Sequence, residues 1–150
     1  MKGKNVSLAI IDTVINDEKL NASLICYHYE VLDNGHIRKR DEKDVDITHG
    51  TICAEIITSI CEKVVIYSIK ILDPKGEGTS FELKCALEWC YQNDIEIIHM
   101  SLGTTNYHDA CIIDDIIAKL ISKGTILVAA HHNGGLKAIR HVDREFSVHR

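Results

Sequence analysis

Five short apolar runs, Val6–Ile11, Leu24–Val31, Val64–Leu72, Ile95–Met100 and Thr125–Ala130, alternate with segments whose apolar residues recur at helical spacing. Between the second and third runs, Cys53, Ile56, Ile57 and Ile60 share one helical face. Between the third and fourth, Leu83, Ala86, Leu87 and Cys90 do. Ile113, Ile116, Ile117 and Leu120 form the last such stripe, and Gly124 stops that helix. A near-continuous apolar run such as Val6–Ile11 is the form a strand takes when both faces of its sheet are covered. Strands alternating with helices of this length build βαβ units, so the expected fold is α/β: a three-layer αβα unit on a mostly parallel sheet of about five strands. At 150 residues and 45% hydrophobic, the chain holds one core, so a single domain over residues 1–150 is expected.

In sheets of this kind ligands bind beyond the carboxyl ends of the strands. Asp12, the Ser101-Leu102-Gly103 segment and the His131–Gly135 loop all follow the ends of apolar runs. His49 opens the first helix and can lie on the same rim, with Gly50 removing bulk beside its ring. A buried carboxylate that accepts from one imidazole nitrogen fixes the tautomer and leaves the other nitrogen free as a base, which suits Asp12 and His49. His49, His99, His131 and His132 with Asp12 form a rival set of metal ligands. No H-x-x-x-H spacing on one helix supports it, and neither a metal nor a cofactor is expected. A nucleotide site would need a glycine-rich turn after the first run, and Asp12-Thr13-Val14-Ile15-Asn16 offers none.

A formal charge of −5 without a Lys/Arg stripe gives no footprint for nucleic acid. The one basic cluster, Arg38-Lys39-Arg40, is answered by Asp41, Glu42 and Asp44 and reads as a solvated loop. No apolar run approaches the roughly 18 residues of a membrane span, and no cleavage site follows the first strand. A cytoplasmic chain is expected, its six cysteines being buried, reduced thiols, since none form a C-x-x-C pair.

Taken in order, Ile10-Ile11-Asp12-Thr13, His49-Gly50-Thr51, Lys70-Ile71-Leu72, Ala86-Leu87-Glu88-Trp89-Cys90, Ile97-Ile98-His99-Met100-Ser101-Leu102-Gly103 and Leu127-Val128-Ala129-Ala130 resemble the N-terminal half of the subtilisin-like serine peptidases. The resemblance implies a hydrolase in which Asp12 is the orienting acid and His49 the general base of a Ser-His-Asp triad. Ser101-Leu102-Gly103 and the loop carrying Gly76 and Gly78 would be two walls holding an extended peptide by strand addition. His132 takes the place of the asparagine that donates into the oxyanion hole, with Asn133 one residue late; an imidazole N–H can donate there as an amide does.

The departures from the family pattern carry their own expectations. Its serine lies in a G-T-S-M-A-type helix start, and no such segment is found up to Arg150, so the chain is expected to be a truncated domain without the nucleophile. Gly78-Thr79-Ser80 has the right letters in the place of a substrate-binding loop, and Ser80 is expected to cap the following helix. Only Glu62-Lys63 separates the first helix from the third run, too short for the calcium loop of secreted relatives. The expected function is the Asp/His part of a serine endopeptidase acting on peptide or protein, either with the serine supplied by a second polypeptide or as an enzyme half left by gene splitting. The alternative is a non-catalytic relative that keeps the groove as a peptide-binding or partner module. An uncovered sheet edge would drive self-association or capture of that second chain.

Overall fold

The computed structural model of the chain describes residues 4–41, 48–102 and 107–129. Six strands form one sheet: β1 (Val6–Asp12), β2 (Ile25–Val31), β3 (Ile37–Lys39), β4 (Val64–Lys70), β5 (Ile97–Met100) and β6 (Ile126–Ala129). Their order is β3-β2-β4-β1-β5-β6. Every pairing is parallel except β2 with β3. The expected α/β sheet is therefore present, with one strand more than expected. That strand comes from the basic cluster: the Asp33-Asn34-Gly35 turn folds Ile37–Lys39 back on β2, and Arg38 pairs with Glu30 across the hairpin. A three-residue edge strand with exposed cations carries no apolar periodicity, so it reads as loop in the sequence while still satisfying the edge of β2.

Because successive residues of a strand point to opposite faces, β1 feeds two cores at once. Ala9 and Ile11 meet Leu83, Ala86 and Leu87 of α2 (Ser80–Gln92) and Ile116, Ile117 and Leu120 of α3 (Tyr107–Lys123). Leu8 and Ile10 lie on the other face with Ile66 and with Ala54 of α1 (His49–Ile60). On α2, Thr79 is the cap and forms a reciprocal capping box with Glu82. Ser80, expected to be the cap, is instead the first helical residue and donates to Asp109 of α3 at 3.1 Å.

The face of α1 differs from expectation. Gly50, Thr51 and Ala54 are its buried residues. Ile56 and Ile60, expected inside, are 57% and 83% exposed, and Ile52 is 46% exposed. The smallest side chains of the helix touch the sheet because α1 lies close over β1, and no described residue covers its outer stripe. The cysteines also part from expectation: Cys90 is buried, Cys26, Cys53 and Cys85 are half-buried, and Cys61 and Cys111 are exposed. All six are free thiols.

The contrast in burial is testable by urea denaturation. Leu87→Ala empties a closed core position and is expected to cost about 2–5 kcal/mol. Ile60→Ala, on the outer stripe, should stay within roughly 0.5 kcal/mol. A large loss from the second change would show that something covers this stripe in the isolated chain.

Candidate active site

Asp12 closes β1 and is fully buried. Such a carboxylate needs donors, since an uncompensated one costs several kcal/mol. The next residue supplies two: the Thr13 amide donates to Oδ1 at 2.7 Å and the Thr13 hydroxyl at 3.2 Å. The third is His49, whose Nδ1 lies 2.8 Å from Oδ2 and 3.0 Å from Oδ1. The hydrogen therefore sits on Nδ1, and the ring's Nε2 faces a cavity with its lone pair free. The His49 side chain is 56% exposed.

The start of α1 is held to the end of β1 by backbone and threonine contacts. Gly50 N donates to Thr13 Oγ1 at 3.0 Å, completing a relay to Asp12. Thr48 caps the helix, accepting from Thr51 N, and its hydroxyl donates to the Val14 carbonyl. Asn16 N donates to Thr51 Oγ1 at 2.8 Å. At Gly50 a Cβ would lie 2.8 Å from the Thr13 carbonyl and 3.0 Å from that of Val14. The glycine therefore serves contact between helix and strand end, not access to the ring.

The cavity at this rim has a volume of about 1010 Å³ and is lined by Asp12, Thr13, His49, Gly76, Ser101 and Leu102, with Arg40, Lys70, Asp73 and Lys75 at its side. It thus brings Gly76, Ser101 and Leu102 to the Asp12–His49 pair. Gly78 lines a neighbouring cavity of about 740 Å³ with Lys70, Leu72 and Asp73, which line both. There its Cα is pressed toward the Ile71 carbonyl, 2.7 Å from where a Cβ would stand. Gly103, His132 and Asn133 lie outside the described residues, as does His131 of the rival metal set.

The sequence reading missed Cys53, one turn along α1 from His49. Its Sγ is 3.9 Å from Nδ1, 4.0 Å from Nε2 and 3.7 Å from Ser101 Oγ. Near-equal distances to both nitrogens place the sulfur off the Nε2 lone pair. Burial pushes the thiol's pKa up, with the Asp12 charge adding and the Ser101 hydrogen bond opposing, so it is no standing thiolate nucleophile. The spacing His49 and Cys53 at i, i+4 was the available signal. On β5, His99 meets Ser101 Oγ at 3.4 Å through Nε2, while its buried Nδ1 has no hydrogen-bond partner. Burial lowers its pKa; Asp12 opposes and His49 adds. Among the described residues, two side-chain groups have metal-ligand spacing: Asp12, His49 and Cys53, and Asp17, Cys26 and His28. His99 belongs to neither group, and His131 and His132 of the rival set lie outside the described residues.

The sequence profile of the subtilase family matches residues 3–146. The chain belongs to the subtilase family. This subtilase chain is 33% identical over 147 residues to Subtilisin DY of Bacillus licheniformis, covering 89% of itself and 49% of that protein. It is 32% identical over 144 residues to the Minor extracellular protease Epr of Bacillus subtilis, covering 90% of itself and 21% of that protein. The chain therefore spans about half or less of the curated relatives it matches. Its fold is that of the nisin leader peptidase NisP from Lactococcus lactis, with a TM-score of 0.68 at 22% identity, over 95% of this chain and 48% of that one. A lanthipeptide protease gives a TM-score of 0.72 at 19% identity, over 93% and 43%. Residues 3–146 thus have the character of a subtilisin-like peptidase domain.

Two outcomes test the site's physical basis. Gly50→Ala should push α1 from the β1 end, cost about 1–3 kcal/mol as overpacking does, and remove the low-field Nδ1 proton resonance expected of His49. An unchanged spectrum and stability would show that the close approach is not required. The second concerns His99, whose folded pKa lies below its unfolded value of about 6.5. As pH falls through the window beneath that value, the unfolded chain takes a proton that the folded chain refuses, so stability falls and then levels below the folded pKa. In His99→Gln this component of the acid loss should vanish from denaturation midpoints measured across the window.

Proposed function

We propose that this chain is the acid-base half of a subtilisin-like serine endopeptidase, with Asp12 orienting His49 and His49 Nε2 serving as the general base. The supporting observation is the buried Asp12 carboxylate bound to His49 Nδ1 beside a cavity of about 1010 Å³. In this reading Ser101, Leu102 and Gly103 with Gly76 and Gly78 hold an extended peptide, and His132 with Asn133 donates to the oxyanion. The serine comes from a second polypeptide. His49 Nε2 takes the serine proton as its oxygen attacks the scissile carbonyl, then returns that proton to the leaving amine.

The α1 side, uncovered among the described residues, favours such a partner. Ile10, His99 and Val128 are aligned across β1, β5 and β6, as are Leu8, Ile97 and Ile126, so they share the α1 face of the sheet. There Ile126 and Val128 are 58% and 42% exposed. An apolar helix laid over β5 and β6 would cover them and end near His49. The second reading, a peptide-binding relative without catalysis, draws on the same cavity, since its walls form without a serine.

A serine-directed fluorophosphonate separates these. The chain alone should remain unlabelled. Mixed with a serine-bearing C-terminal subtilase half, it should support labelling of that half, and His49→Ala or Asp12→Asn should reduce labelling at least about a hundredfold, as loss of triad members does. Labelling of the isolated chain that survives Ser80→Ala would overturn the assignment. A pair that associates and binds peptide without labelling would favour the non-catalytic reading.

A further inference from the structure

On the flank of α1 away from β5 and β6, Asp17, Cys26 and His28 converge. Cys26 and His28 are two residues apart on β2, so both side chains stand on one face of the strand. That is the α1 face, because Cys26 packs against the cluster of Leu8, Ile10, Leu20 and Ile66. Asp17 arrives from a 3-10 turn, Asp17–Lys19, whose cap Asn16 accepts from Glu18 N and is itself tied to Thr51 of α1. One oxygen of Asp17, one ring nitrogen of His28 and the Cys26 sulfur all lie within 4.8 Å of one another.

We propose that Asp17, Cys26 and His28 form a binding site for a zinc-like divalent cation. One carboxylate oxygen, one imidazole nitrogen and one thiolate form a donor set that borderline-soft Zn²⁺ accepts and that Mg²⁺ or Ca²⁺ does not. Asp17 Oδ2 and His28 Nε2 are 3.0 Å apart. Ligands each about 2.0–2.1 Å from a tetrahedral metal stand roughly 3.3 Å from one another, so the cation enters this pair with a displacement of a few tenths of an ångström. An Asp–His pair needs no third member, whereas here a sulfur stands at the third corner. All three residues are half-buried, which leaves the fourth position to water. The cation displaces the thiol proton of Cys26 to solvent as the metal–sulfur bond forms, and the hydrogen that His28 Nε2 shares with Asp17 moves through solvent to Nδ1, leaving the Nε2 lone pair to bind the metal. Bound there, it would join β2 to the turn that is tied to α1 through Asn16 and Thr51.

Cobalt(II) is the probe, because its bond to a thiolate gives a charge-transfer absorption. The 150-residue chain with Cys61→Ser and Cys111→Ser, which removes the exposed thiols, should bind one equivalent with that band and yield it to zinc. Cys26→Ser should abolish the band, and Asp17→Asn and His28→Ala should each weaken binding at least about tenfold, while circular dichroism confirms that each variant is folded. Cys53→Ser should leave the band intact. A band that disappears with Cys53→Ser and survives Cys26→Ser would move the metal to the Asp12–His49 site and overturn the proposal. So would the absence of any thiolate band at one equivalent of cobalt.

Discussion

The Asp12 carboxylate sits at the end of the strand that occupies the middle of the sheet, with no exposure to solvent. Its charge is bearable only because donors converge on it: the Thr13 amide, the Thr13 hydroxyl and His49 Nδ1. Each donor imposes geometry on something larger. Thr13 must turn away from the strand to present both its groups, and its carbonyl and that of Val14 then face Gly50. His49 must start a helix just there, and the helix can come that close only with glycine as its second residue. The same electrostatic requirement that stabilises the strand end therefore sets the position of α1 and frees Nε2 at the rim. Structure and chemistry are coupled at this point because the group that satisfies the carboxylate is also the proposed base.

The strands and helices with strong apolar periodicity were legible in the sequence, because each fills a core that selects one face. β1, β4, α2 and α3 follow from their buried isoleucines and leucines, and the Asp12–His49 juxtaposition from the strand-end rule. What periodicity could not convey is which apolar face finds a neighbour. The stripe Ile52, Ile56 and Ile60 has the spacing of a core face, yet the side of α1 that meets the sheet is Gly50, Thr51 and Ala54, chosen by close approach and not by hydrophobicity. The hairpin strand β3 was hidden because only Ile37 of its three residues packs against the core, the rest of its hold coming from backbone pairing and the Arg38–Glu30 pair. Cys53 went unseen because a thiol one turn from a histidine looks like another core residue until distances are known.

Seen from α1, the domain has three unequal sides. Beneath it lies the closed contact with β1, through Ala54 against Leu8 and Ile10. On one flank the Asp17–Lys19 turn and β2 bring together polar and sulfur ligands, tied to the helix through Asn16 and Thr51. On the other, Ile126 and Val128 are exposed on the same sheet face, as Ile52, Ile56 and Ile60 are on the helix itself. The α2 and α3 layer, by contrast, buries its stripes fully against the opposite face. Among the described residues the stripes of α2 and α3 are covered, while the α1 face is covered on one flank only. Covering the apolar flank would draw water from the surroundings of His49, Cys53 and His99 together. That would strengthen the Asp12–His49 hydrogen bond, since electrostatic interactions gain as the local dielectric falls. The Asp12–His49 pair is thus preformed by the fold of this chain, and its surroundings depend on what lies against α1.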